Sequence, residues 1–182
     1  MAEYYTPAIV LRKDVKNDKD SLYILYTRSL GKISAIAKSA RKITSKLSGH
    51  LSPGRIADIR LIDKGSFQLL DALSKNGGRS NKEIAKFLYF LDNMTPYNQA
   101  DPHLWYIAKE VVERLEVEPI VYREILGIMG FAPIEKNVLL KCNRCKKIGT
   151  QTQYFIMSDL VFLCANCLKD VKIEENDLVK IV

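Results

Sequence analysis

Residues 22–51 read LYILYTRSLGKISAIAKSARKITSKLSGHL, and their pattern decides the fold. Two short runs rich in β-branched and aromatic side chains, 22–27 and 32–37, flank a turn at Ser29, Leu30 and Gly31. The second run sets Ile33, Ala35 and Ala37 on one face, as a half-buried strand requires, although Ile36 on the other face blurs the alternation. The chain then turns basic. Lys38, Arg41, Lys42 and Lys46 follow within nine positions, joined upstream by Arg28 and Lys32, and no Asp or Glu occurs from Ser21 to Ala57. Cations without compensating acids leave a positive field, and the phosphate backbone of nucleic acid is the commonest polymer that answers it. Ser39, Thr44 and Ser45 lie among them, and short hydroxyls and backbone N–H groups contact phosphates beside Arg and Lys. A solvated lysine-rich loop that binds nothing is the plain alternative.

Working outward, 8–11, 55–62 and 66–72 complete a set of five short strands, the last two joined by a Gly-containing turn at Asp63, Lys64 and Gly65. Five strands with a longer basic connection between the third and fourth suit an OB-type barrel, with an SH3-like barrel as the alternative. OB barrels bind single strands by tracking the backbone with cations and stacking bases on aromatics. Tyr23 and Tyr26 are candidate platforms; they fall on opposite faces of one strand, so at most one serves, and core packing competes for both.

The net charge of +7 is unevenly placed. Residues 1–74 carry thirteen Lys and Arg against seven Asp and Glu, whereas 75–141 carry nine of each and 142–182 six against five. The excess therefore belongs to the barrel. No apolar run reaches membrane-spanning length and the start has no signal-peptide pattern, so a soluble cytosolic protein is expected.

The polar run from Lys75 to Ser80 leads into a change of period. Ser80 with Glu83 reads as a capping box, followed by an apolar stripe of Ile84, Phe87, Leu88 and Leu91. Asp101 and Pro102 start a second helix, with Leu104, Ile107, Ala108, Val111, Val112 and Leu115 on one face and Trp105 flanking it. A third runs from Pro119 to near Gly130. His50 and His103 have no acid or nucleophile at a readable spacing and are expected at the surface. The expected fold class is α+β: a nucleic-acid-binding OB barrel over 1–74, DNA-binding by the resemblance given below, and a helical domain over 80–182 containing a metal module at 142–167.

That module rests on Cys142-x-x-Cys145 and Cys164-x-x-Cys167, which use every cysteine in the chain. Two such knuckles complete a tetrahedral four-thiolate site for one zinc ion. Two disulfides or a redox dithiol are the alternatives; the first is rare in the cytosol and the second does not need two matched pairs. A closed four-cysteine site leaves no open position for water, so the metal is read as structural. Neither a carboxylate cluster, a P-loop nor a nucleophile–base pair is present, and no enzymatic activity is expected.

These motifs together resemble the RecO family of bacterial recombination mediators. The resemblance is carried by Ala8 to Arg12, by Tyr26-Thr27-Arg28 with Leu30-Gly31-Lys32-Ile33, and by Ala37-Lys38-Ser39-Ala40-Arg41-Lys42 with Ser45-Lys46-Leu47 and Leu51. It continues in Gly130-Phe131-Ala132-Pro133 leading to the first cysteine pair. Ser39 stands where that family usually has glycine, and fifteen residues follow Cys167 where relatives continue with further helices, a short form. The resemblance implies an OB barrel, a helical bundle and a zinc site. It also implies binding of single- and double-stranded DNA, strand annealing, and loading of recombinase with RecR onto strands coated by single-stranded-DNA-binding protein, in the cytoplasm at the nucleoid. A different class of function also fits: a docking module that holds the acidic tail of a single-stranded-DNA-binding protein and has little DNA affinity of its own.

Overall fold

A fourteen-residue strand, Ala2–Val15 (β1), bends across the whole first sheet and pairs on both sides. The computed structural model describes residues 2–40, 46–75, 81–135, 138–149 and 153–182, without the side chains of Lys46 and Ser48. The first half of β1 runs antiparallel to Ile56–Asp63 (β4) and the second half to Ser21–Thr27 (β2). A register shift between Val10 and Arg12 marks the bulge that lets one strand coil around both partners. Gly31–Ala37 (β3) pairs with β2, and Phe67–Ser74 (β5) pairs with β4 and runs parallel to β3. The order β1-β2-β3-β5-β4 closes into a barrel, the five-stranded OB-like architecture expected for this segment.

The alternation in β3 sorts its residues as anticipated. Ile33, Ala35 and Ala37 enter the barrel core with Val10, Tyr23, Leu25, Leu51, Ile59 and Leu61, while Ser34 is exposed. Between β3 and β4 the described chain forms one short helical turn, Lys46–His50 (α1). His50 is half-buried rather than free at the surface: its Nδ1 lies 3.0 Å from Ser74 Oγ and accepts the Ser74 N–H at 3.3 Å.

The chain divides into two compact units, Met1–Glu116 and Val117–Val182. The polar run beginning at Lys75 separates strands from helices, yet the next two helices, Lys82–Met94 (α2) and Pro102–Arg114 (α3), lie in the same unit as the barrel. The reason is packing on the barrel's outer wall. Trp105, which the stripe reading left at its edge, is 2 % exposed and stacks on Tyr26 at 6.4 Å. The anticipated α2 stripe of Ile84, Phe87, Leu88 and Leu91 is buried. The cap of α2 is Asn81, whose side chain accepts from Ile84 N; Ser80 lies outside the described residues. Asp101 caps α3 as expected, accepting from Leu104 N at 2.9 Å ahead of Pro102.

In the second unit, Pro119–Ile128 (α4) ends through Gly130, whose φ of +81° allows Phe131 N–H to reach back to the Leu126 carbonyl. Three short strands follow, Gln153–Ile156 (β6), Val161–Cys164 (β7) and Leu178–Lys180 (β8), in the order β7-β6-β8. No helix among the described residues is long and apolar enough to cross a membrane.

Candidate nucleic-acid interface and metal centre

The six cations singled out in the sequence do not share one environment. Arg28 leaves the end of β2 exposed, its guanidinium 5.6 Å from the ring centre of Tyr106 on α3. Lys38 is exposed just beyond β3. Arg41 and Lys42 lie outside the described residues, as does the side chain of Lys46.

Lys32 is different. It is 5 % exposed, and its Nζ donates to the Asp92 carbonyl, lies 3.8 Å from Asp92 Oδ1 and sits 4.4 Å above the ring of Tyr97. Burial pulls its pKa down while the Asp92 carboxylate pulls it up, with burial the larger effect. Lys32 is opposite Tyr26 in the β2–β3 register, so both leave the barrel on the face that α2 and α3 cover. Arg12 shares the same carboxylate at 3.2 Å. The Lys32 ammonium is therefore an internal tie between β3 and the end of α2.

The two tyrosines considered as base platforms are both buried, Tyr23 in the barrel core and Tyr26 under Trp105. Exposed aromatics lie elsewhere: Tyr5 on β1, and in the helical layer Tyr97 and Tyr106, which are 46 % and 54 % exposed. The strand reading missed Tyr97 and Tyr106 because nothing in the α3 stripe or the loop before it shows which barrel face they meet.

The loop that leaves β3 is held by Asp20. Its Oδ1 accepts the backbone N–H of Ser39 at 2.8 Å, which with the Asn17 amide keeps the carboxyl below its ordinary pKa. Ser39 has a φ of +56°, in the left-handed region that favours glycine.

In the second unit the four cysteines converge. The Sγ atoms of Cys142, Cys145, Cys164 and Cys167 all lie within 4.8 Å of one another, with Cys145 and Cys164 3.9 Å apart. A tetrahedral ion with metal–sulfur bonds of about 2.3 Å sets its ligands about 3.8 Å apart, so the spacing fits one metal ion. The knuckles are shaped by backbone. Lys146 N–H returns to the Cys142 carbonyl at 3.0 Å, with Lys146 itself in the left-handed region, and Cys164 N–H points at Cys142 Sγ at 3.4 Å. Asn143 clips the first knuckle to β7, donating its N–H to the Phe162 carbonyl and accepting the Phe162 N–H on its side chain, both at 2.8 Å. Arg144 bonds the Cys167 carbonyl and Asp170.

Without a cation, four thiols this close cannot ionise together. Burial raises the Cys142 pKa, but N–H groups of Cys145, Cys164 and Arg144 outweigh it and bring the thiol down to about 6. Cys167 is pushed up to about 12, by burial and then by its sulfur neighbours. Cys164 is also held below its ordinary value, first by the Cys167 N–H, so low and high thiols share one cluster, an imbalance that a divalent metal removes.

Comparison with known proteins covers both units. Residues 1–75 match the family model described as Recombination protein O N terminal. The chain is 27 % identical to the DNA repair protein RecO of Caldanaerobacter subterraneus subsp. tengcongensis, over 96 % of this chain and 76 % of that protein. It is 30 % identical to the RecO of Dehalococcoides mccartyi, over 91 % and 70 %, and 30 % identical to that of Bacillus velezensis, over 88 % and 67 %. The match runs from the barrel through the cysteine unit of proteins sharing a single name, and the chain belongs to the RecO family of DNA repair proteins.

Proposed function

We propose that this protein is a non-enzymatic mediator of DNA repair and recombination that binds single- and double-stranded DNA, anneals complementary strands and helps load recombinase onto coated single strands. The observation that carries the reading is the closed OB-order barrel with exposed Arg28 and Lys38 at strand ends, joined by an acid-free connection that adds Arg41, Lys42 and Lys46. Together these cations meet phosphates and position the strand without reading it. Lys32 supports them from within by tying β3 to α2. Annealing follows from the same chemistry, because cations that screen two polyanions let them approach. The expected setting is the cytoplasm at the nucleoid, with RecR and single-stranded-DNA-binding protein as partners.

The metal in the four-cysteine site is read as one structural zinc ion, since soft thiolates in tetrahedral array suit it and a filled coordination shell leaves no place for a reacting water. Cys142, Cys145, Cys164 and Cys167 would hold it.

Fluorescence anisotropy with naked oligonucleotides and, separately, an acidic peptide tests the DNA reading. Direct binding of oligonucleotide, weakened by salt, is expected. Peptide binding with no oligonucleotide affinity at low salt would replace it with the docking-module reading.

A further inference from the structure

A cleft of about 650 Å³ opens in the first unit between the β2–β3 turn, the β4–β5 turn and the connection from α2 to α3. Its size is within the roughly 300–1,000 Å³ of ligand pockets. Tyr97 and Phe67 supply aromatic surface, and Ser29, Ser34 and Ser66 bring three hydroxyls. Asn98 and the half-buried Asp63 complete the polar lining. Asp63 uses Oδ1 to accept the Gly65 N–H at 2.9 Å, which fixes the carboxylate while leaving Oδ2 for a ligand.

The walls are preformed. Asn98 N–H bonds the Lys32 carbonyl at 2.8 Å, Tyr97 and Lys32 form a β-bridge, and the Lys32 ammonium lies over the Tyr97 ring. Gly31 allows this closeness, because a Cβ there would stand 2.0 Å from the Gln99 carbonyl oxygen. The connection is thus stapled to β3 along its length.

The lining contains no Lys or Arg and one carboxylate, so it repels an anion. Two exposed cations flank it in sequence: Arg28, the residue before Ser29, which is held against Tyr106, and Lys64, in the turn between Asp63 and Gly65. This distribution separates the parts of a nucleotide: phosphates toward Arg28 and Lys64 at the rim, base among the aromatics and hydroxyls inside.

We infer that this cleft takes one unstacked base of a single strand, preferentially one with an exocyclic amino group that donates to Asp63. The inference rests on the DNA-binding reading above and adds a base site to it. Stacking on Tyr97 and Phe67 supplies affinity that a paired duplex cannot use, since its bases stay in the stack. Cytosine, adenine and guanine each carry such an amino donor, and thymine has none.

The test uses the full chain, over one common series of salt concentrations, with labelled oligo-dC, oligo-dT and a duplex of about 16 base pairs. Tyr97→Leu removes a stacking face and Ser66→Trp fills the cleft from an exposed position; thermal melts establish that each is folded. Both are expected to weaken oligo-dC binding about 5- to 50-fold while duplex binding and its salt dependence stay as in the unaltered protein. Oligo-dC should bind about threefold better than oligo-dT, and Asp63→Asn should abolish that difference. Unchanged oligo-dC affinity in folded Ser66→Trp overturns the base site. If Lys38→Ala with Arg41→Ala still lowers affinity in that case, the phosphate-binding reading survives alone. Equal loss of duplex and single-strand binding also overturns it. Binding of an acidic peptide that Ser66→Trp abolishes reassigns the cleft to peptide. Absence of any oligonucleotide binding by the unaltered protein overturns both readings.

Discussion

Ser39 holds a backbone conformation that costs an L-residue about 1–2 kcal/mol relative to the right-handed well, and no side-chain bond described for it offsets the cost. What anchors the site is its N–H, which Asp20 accepts. Glycine keeps that N–H and relieves the strain, at the expense of a freer unfolded chain. Ser39→Gly is therefore expected to stabilise by about 0.5–1 kcal/mol, a rise of about 2 °C in melting temperature. A lower melting temperature would mean the hydroxyl has a role of its own. Gly31 is the opposite case: φ is +68° and the Gln99 backbone blocks a Cβ. Gly31→Ala should cost about 2 kcal/mol or more in a denaturant titration and disturb the α2–α3 connection. Asp20 adds a pH dependence. Its folded pKa is depressed below the ordinary 3.8, so its contribution is present above that value and is lost as the pH falls through the lower folded value. Asp20→Asn should flatten the acid side of the stability profile below about pH 4; an unchanged profile would show that the Ser39 contact carries no linkage.

At the scale of elements, periodicity made the five strands and three longer helices legible, because each buries one face and the turn and cap residues punctuate them, although it caught only residues 8–11 of the fourteen-residue β1. The cysteine spacing made the metal centre legible for a different reason: ligand chemistry fixes which residue types must converge, whatever the fold between them. Removing a ligand should therefore unravel the second unit rather than loosen it. Cys142→Ser, or a strong chelator, is expected to release one zinc ion per chain and to expose β6–β8 to rapid hydrogen exchange, while the barrel amides stay protected. Freshly purified protein without bound zinc would refute the assignment of the metal. The strand pattern could not show what covers the barrel from outside. Tyr26 and Lys32 sit on the nominally solvent-facing side of β2 and β3, and α2, α3 and the connection between them bury them. One signal was available: Asp92 falls four residues after Leu88, on the apolar stripe of α2. An acid on a buried stripe calls for a buried cation.

Across the whole molecule, the charge distribution separates cations that hold the fold from cations left for a polyanion. Five of the six singled out, Arg28, Lys38, Arg41, Lys42 and Lys46, belong to the second class in the proposed function, and Lys32 to the first. Each phosphate neutralised on a single strand contributes about −0.7 to the slope of log affinity against log salt, so five contacts give about −3.5. Replacing Lys38 and Arg41 together with Ala should reduce the slope by about 1.4 and weaken all sequences alike, with annealing falling in parallel. Lys32→Ala should behave otherwise. It removes a buried ammonium from Asp92, which keeps Arg12 at 3.2 Å, so stability should fall by about 2 kcal/mol with the salt slope unchanged in the folded fraction. The two variants thus move different observables, and a total charge effect would move the same one in both. A folded Lys38/Arg41 double variant that binds DNA with unaltered affinity and slope would remove the basic connection as the DNA site, whatever becomes of the cleft beside Tyr97.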